Sequence, residues 1–433
     1  MTTQPEVIYA RQLLTMVSDT PDAIEEPPDP SRLNALRDRD ASVVGLIEDG
    51  AIALSDDRIV WVGPAAELPE RYRSKEAWRV PCAAPGLIDC HTHAVFAGSR
   101  HMEFVQRNLG ADYLDILEAG GGILSSAKAT AAASRKELAE LLVGRCYGAT
   151  RMGITTLEVK SGYGLATDVE MKQLAAINDA RADVLLDLEA TFLGAHAIPR
   201  KYRERRDDYV QLVCEEMIPR VSERRLARFC DVFCDRGAFT AAEAERILKT
   251  GLDYGLIPRI HADELTSAGA AEVAARVGAS SADHLEYVSD EAITMMAEAS
   301  VVAVLLPAVN LYLRCDRYAP ARALLNAGVD VALSTDFNPG TAMTQDLGLI
   351  MTLGCTMLGM TPGECLRAVT ASAARALRLP DRGTLAVGQR ADVAMFGVED
   401  YWQIPYVAGY SHVEGVIRAG ELVYWRSTED VDG

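Results

Sequence analysis

The 433-residue chain is predicted to be an α/β protein, a (β/α)8 TIM-type barrel with a small β-sandwich domain formed by its N- and C-terminal segments. Three observations predict this. Eight short apolar runs lie between Pro85 and Arg375, with Ala- and Leu-rich helical stretches between several of them. Both ends of the chain are β-rich instead. At roughly 100–200 residues per domain, the length suits one large barrel with additions.

The N-terminal segment opens with two candidate short strands, residues 6–8 and 43–46. Between them the segment 19–40 carries four prolines and many charges, and reads as a solvated loop or insertion. Residues 51–54 and 58–62, separated by Ser55-Asp56-Asp57, predict a β-hairpin. The barrel runs are residues 86–90, 154–159, 186–193, 229–233, 258–260, 281–285, 301–306 and 331–334. Helical patterns at 135–150, 241–254 and 268–277 separate several of these, the signature of βα units in a parallel sheet. After the barrel, residues 383–385, 391–396 and 421–425 read as strands again. The domain limits that follow are 1–80 with 378–433 for a composite β domain, and 81–377 for the barrel.

Composition narrows the function classes. Lys and Arg number 43 against 62 Asp and Glu, a formal net charge of −19, which disfavours a nucleic-acid or anionic-membrane partner. Hydrophobic residues make up 49% and charged ones 24%, so a large buried core is expected rather than disorder. The nine cysteines show no repeated CxxC pair, and Cys230 with Cys234 is a weak zinc signal. Reduced thiols in a cytoplasmic protein are the simpler reading. No signal peptide is legible at the N-terminus, and the longest apolar run, 301–306, is too short to span a bilayer.

Five of the seven histidines sit at or just beyond the end of an apolar run: His91, His93, His196, His261 and His284. In a barrel those ends and the loops after them form the active-site face. His91-Thr92-His93 is the sharpest element, because residues two apart on a strand point the same way and can chelate one ion. Taken alone, a His-x-His pair is more readily two polar turn residues; His261 and a carboxylate on other strand ends reverse that preference. Asp336 closes the eighth run and faces the first strand around the barrel, although it could instead cap the next helix. Together His91, His93, His261 and Asp336 give an N3O set suited to a metal ion.

Longer stretches carry a family resemblance. Pro85-Gly86-Leu87-Ile88-Asp89-Cys90-His91-Thr92-His93 resembles the first-strand motif of the amidohydrolase superfamily, and Gly383-Thr384-Leu385-Ala386-Val387-Gly388-Gln389-Arg390-Ala391-Asp392 its closing strand pair. Phe96-Ala97-Gly98-Ser99-Arg100, Ala119-Gly120-Gly121-Gly122-Ile123-Leu124 and Glu158-Val159-Lys160-Ser161-Gly162-Tyr163-Gly164 are similar to the imidazolonepropionase family within it. So are Thr191-Phe192-Leu193-Gly194-Ala195-His196, His261-Ala262-Asp263-Glu264, Ser281-Ala282-Asp283-His284-Leu285-Glu286-Tyr287 and Thr335-Asp336-Phe337-Asn338-Pro339-Gly340. The likeness runs from about residue 85 to residue 395, and the segment 19–40 departs from it by its length.

The resemblance implies hydrolysis of 4-imidazolone-5-propanoate to N-formimidoyl-L-glutamate, a step of histidine degradation, with one divalent or trivalent ion, zinc or iron. It implies Glu264 and His284 as the acid–base pair. Arg100, in the loop after the first strand, is the expected clamp on the propanoate. Tyr163, His196, Glu264, Asn338, Gly340 and Thr341 are carried over as substrate contacts, although Tyr163 and His196 could equally be packed rim residues. His284 could alternatively bind a second ion, bridged by Lys160 or Glu158. The run 120–122 lacks a phosphate-loop pattern and reads as a mobile loop bordering the site. A homodimer is also implied. The alternatives are another superfamily member, such as a purine or pyrimidine deaminase, and a non-catalytic metal-binding barrel.

Overall fold

The computed structural model describes residues 6–18, 33–73, 75–111 and 121–426. Strands β1 (Val7–Leu14), β2 (Leu46–Ser55), β3 (Arg58–Pro64) and β4 (Ala77–Pro85) begin a sheet at the N-terminal end. The barrel follows, with β5 (Leu87–Asp89), β6 (Ile154–Lys160), β7 (Asp187–Ala195), β8 (Phe229–Cys234), β9 (Ile257–Ala262), β10 (Ser281–His284), β11 (Val302–Leu305) and β12 (Val331–Leu333). Strands β13 (Val393–Phe396), β14 (Val413–Arg418) and β15 (Glu421–Trp425) then return to the first sheet.

All eight barrel strands fall where the apolar runs predict them, and they pair in parallel in sequence order. Closure is made beyond the last strand: the Asp336 amide donates to His91 O at 3.1 Å, and the His93 amide to Phe337 O at 3.0 Å. The same hydrogen bonds therefore close the barrel and bring both ends of the chain's chemistry together. The helices Arg135–Arg151 and Ala241–Asp253 start where expected because Ser134 with Glu137, and Thr240 with Glu243, form capping boxes.

The outer domain is one continuous seven-stranded mixed sheet in the order β15-β14-β13-β4-β1-β2-β3, with only β1 and β4 parallel. Ile8, Ile52 and Ile59 from one half pack with Val393, Met395 and Ile417 from the other in a single apolar cluster. The N- and C-terminal segments thus share one mixed sheet, with that cluster packed along it. At its barrel contact, the carboxylate of Asp187 meets Arg390, Arg382 (2.6 Å) and Arg418 (3.4 Å).

Three local expectations are corrected. Residues 43–46 are the end of a helix, Leu33–Val43, and the start of β2. Residues 383–385 are not a strand: Gly383 has φ +85° and passes too close to Thr370 O for a side chain. The segment 19–40 is not wholly a loop, since residues 33–40 are helical; residues 19–32 lie outside the described residues. No helix among the described residues is long and apolar enough to cross a membrane.

That N-terminal helix docks through Asp40, whose carboxylate accepts from Thr361 Oγ1 and, at 2.8 Å, from the Gly363 amide. Burial pushes the Asp40 carboxyl up to about 6 despite the Thr361 and Gly363 bonds. The folded chain therefore holds this proton more tightly than the unfolded chain does. The associated stability is present below about pH 4 and is lost as pH rises through 6. Against Asp40→Asn, whose side chain does not titrate, the wild type should lose up to about 3 kcal/mol between those limits. Urea midpoints of both proteins across that pH range test this. A constant gap would show that Asp40 carries no burial penalty.

Candidate metal centre and active site

The site grows from the strand ends. Thr92, between the two paired histidines, is fixed to β6: its amide donates to Glu158 Oε2 at 3.0 Å and its hydroxyl to Glu158 O at 2.6 Å. This turns His91 and His93 inward together. Their ligand atoms and one from His261 all lie within 4.8 Å of one another, the only such cluster among the described residues. Asp336 Oδ1 lies 3.5 Å from His91 Nε2 and 3.3 Å from His93 Nε2, and the Nε2 atoms of His93 and His261 are 3.4 Å apart. Four ligands placed tetrahedrally at zinc–nitrogen distances would sit about 3.4 Å from each other.

His91 Nε2 and Asp336 Oδ1 are buried without a hydrogen-bond partner, which is costly unless an ion satisfies them. Burial, with Lys160 and the neighbouring histidines, holds His91 and His93 well below the usual imidazole range, so both are neutral, as ligation requires. At His261 burial is outweighed by the Asp231 carboxylate, and its pKa is raised. The residues present therefore fit a metal ion. Asp336 is not a helix cap: the next helix, Leu347–Met357, is capped by Asp346. Its Oδ2 is instead tied to Asn338 Nδ2 at 3.0 Å, with the backbone held at φ +48°.

Glu264 follows His261 by one turn of loop, and its Oε2 is 3.8 Å from His284 Nε2. Burial and then Asp336 push the Glu264 carboxyl up to about 8, while burial and His261 pull His284 down to about 4. His284 itself sits at φ +82°, a strained position at the strand end. Asp235 holds the loop beyond Glu264 by accepting from the Leu265 amide (2.8 Å) and from Thr266 Oγ1 (2.6 Å).

The His196 ring stacks on His93 with centroids 5.0 Å apart, and Tyr163 lies 5.6 Å from His196 and 5.9 Å from His93. Both rim aromatics thus border the metal ligands. Arg100 is paired with Glu103 at 2.9 Å (Nε) and 2.8 Å (Nη2) and fills the space that Gly340 leaves open. Asn338 Oδ1 accepts from the amides of Gly340 and Thr341, both at 2.8 Å, so in this structure Asn338 spends its polar atoms shaping the loop. Gly122 N donates to Glu103 Oε1 at 3.1 Å; Gly120 lies outside the described residues.

Sequence reasoning passes over the residues behind the ligands. Asp283 Oδ2 lies 2.6 Å from His91 Nδ1, and Asp231 Oδ1 lies 3.0 Å from His261 Nδ1. The available signal is a charged residue inside an otherwise apolar strand, as in Phe229-Cys230-Asp231-Val232-Phe233. Lys160 does not stand ready to bridge two ions. Its Nζ contacts Glu158 at 3.0 Å and Asp231 at 2.9 Å, and their charges with that of Asp283 outweigh burial and Arg259 to raise its pKa.

The fold belongs to a known class. A model of the amidohydrolase family matches residues 82–423, and the chain belongs to that family. Within it the chain groups with the imidazolonepropionases. A model described as the bacterial imidazolonepropionase-like composite domain matches residues 50–73. The imidazolonepropionase of Brevibacillus brevis is 47% identical over 387 residues, 88% of this chain and 91% of the relative. That of Myxococcus xanthus is 44% identical over 400 residues, 92% of this chain and 93% of the relative. Among solved structures, the guanine deaminase of C. acetobutylicum has a TM-score of 0.69 at 14% identity, covering 97% of this chain and 100% of its own. A. niger ochratoxinase has a TM-score of 0.68 at 22% identity, covering 97% and 95%. Likeness at that identity speaks for the fold alone.

Proposed function

We propose that the chain hydrolyses the cyclic amide of 4-imidazolone-5-propanoate to N-formimidoyl-L-glutamate, at one zinc or iron ion held by His91, His93, His261 and Asp336. The observation that carries this reading is the 44–47% identity to imidazolonepropionases over about nine-tenths of both chains. A bound metal lowers the pKa of a water towards neutrality and polarises a carbonyl. Glu264 and His284, 3.8 Å apart, form one coupled unit that takes a proton from the attacking water and delivers one to the ring nitrogen. The water oxygen adds to the ring carbonyl carbon, the C–N bond breaks, and the product carries a new carboxylate. Tyr163 and His196 cover the ring, while Gly340 and Thr341, on the loop Asn338 shapes, line the other side.

Arg100 supplies the positive group an anionic substrate needs in a chain of net charge −19. Arg100→Ala should raise KM by about 10- to 100-fold, the worth of a charge-assisted pair, and leave metal content unchanged. If metal is lost instead, the guanidinium serves the ligand shell and not the substrate. A homodimer, supported by the family resemblance, and a cytoplasmic location, supported by the reduced-thiol reading of the cysteines, are part of the same proposal.

The decisive experiment is turnover of freshly generated imidazolone propanoate by metal-loaded protein. Loss of ring absorbance without ammonia supports the reading. Ammonia release from a purine or pyrimidine would favour a deaminase, and no ring opening above the spontaneous rate overturns the assignment.

A further inference from the structure

Beneath the candidate ligands lies a fully buried set of charges that the reaction does not itself use. Lys160 Nζ reaches Glu158 on its own strand β6 (3.0 Å), Asp231 on β8 (2.9 Å) and Asp283 on β10 (3.8 Å). These are alternate strands of the barrel, which supply one interior layer. Arg259 completes the set from β9, with Nη2 3.0 Å from Asp283 Oδ2 and donating to Cys90 O at 2.8 Å. All five side chains have no solvent exposure.

Each carboxylate in the layer also touches the ligand shell. Asp283 meets His91 Nδ1, Asp231 meets His261 Nδ1, and Glu158 accepts from the amide of Thr92 between His91 and His93. A carboxylate on Nδ1 fixes the ring's tautomer and leaves Nε2 with its lone pair toward the centre. Buried ion sets often stabilise a fold no better than apolar packing, so their placement directly under the ligands points to the site and not to stability.

We propose that Lys160 is a positioning residue for the metal centre: its ammonium locks three carboxylates that together aim His91, His93 and His261 at one ion. This rests on the reading of those histidines as ligands. It acts through Asp231, Asp283 and Glu158, and it touches neither substrate nor metal.

The test uses Lys160→Met and the charge-matched double variant Lys160→Met with Glu158→Gln, which leaves Arg259 against Asp231 and Asp283. Zn(II) affinity is measured by competition with a chromophoric chelator, and coordination geometry by the visible spectrum of the Co(II)-loaded proteins. Thermal unfolding in chelator compares the metal-free folds. The expected result is a folded variant with Zn(II) affinity 10- to 100-fold weaker than wild type and an altered Co(II) spectrum. Where the single variant does not fold, the double variant carries the measurement. Wild-type Zn(II) affinity and spectrum in a folded variant overturn the proposal, as does loss of the fold in both variants, which would make Lys160 structural. Failure of the wild type to bind Zn(II) at all would instead sink the metal reading beneath it.

Discussion

Asp336→Ala is expected to lower metal occupancy and to cost kcat/KM about 1,000-fold or more. Asp336 is the one anionic member of the proposed set, and its Oδ1 sits 3.5 and 3.3 Å from two histidine nitrogens with no other partner. Three imidazoles can still hold an ion, but without the carboxylate the affinity falls. The several kcal/mol of charge stabilisation that the ion supplies are then lost from most molecules, which is the source of the magnitude. Asn338 would lose its 3.0 Å contact to Oδ2 but keep its bonds to the Gly340 and Thr341 amides, so the loop should survive. Metal content after dialysis, with thermal unfolding in chelator as the control for folding, checks this. Full metal retention would remove Asp336 from the ligand set.

The position of Asp336 also shows why so much of the site was legible in the sequence. The barrel strands are mostly buried and read as short, largely apolar runs, so the strand ends could be found and the histidines placed on one rim. That Asp336 meets His91 follows from closure of the barrel, since the eighth strand must return to the first. Residues inside the runs were harder. Asp231 and Arg259 interrupt apolar strands, but their partners lie on other strands, and pairing them needs the register that only the folded barrel supplies. The helix Leu33–Val43 escaped for another reason. Its sequence, LNALRDRDASV, has few apolar residues and no continuous apolar face, and it is held by Asp40 against Thr361 and Gly363, 321 and 323 residues away. The break at Gly383 likewise depends on a distant carbonyl, Thr370 O.

Glu264→Gln should separate proton transfer from metal binding. The substitution keeps the size of the side chain and its place in the loop held by Asp235, 2.8 Å from the Leu265 amide. It removes only the capacity to exchange a proton with the attacking water. General acid–base groups contribute about 100- to 10,000-fold, and kcat should fall within that range. Metal content should match the wild type, because Glu264 is outside the proposed N3O set, and KM should change little if Arg100 carries substrate binding. The elevated Glu264 carboxyl, at about 8, reflects burial and the adjacent Asp336, and its neighbour His284 is depressed to about 4 by burial and His261. Two groups pushed in opposite directions at 3.8 Å are suited to passing a proton between water and leaving nitrogen. His284→Asn should therefore be nearly as damaging, and the double variant little worse than either single one, as expected of residues acting as a unit. A Glu264→Gln enzyme with wild-type kcat would leave His284 as the sole proton carrier.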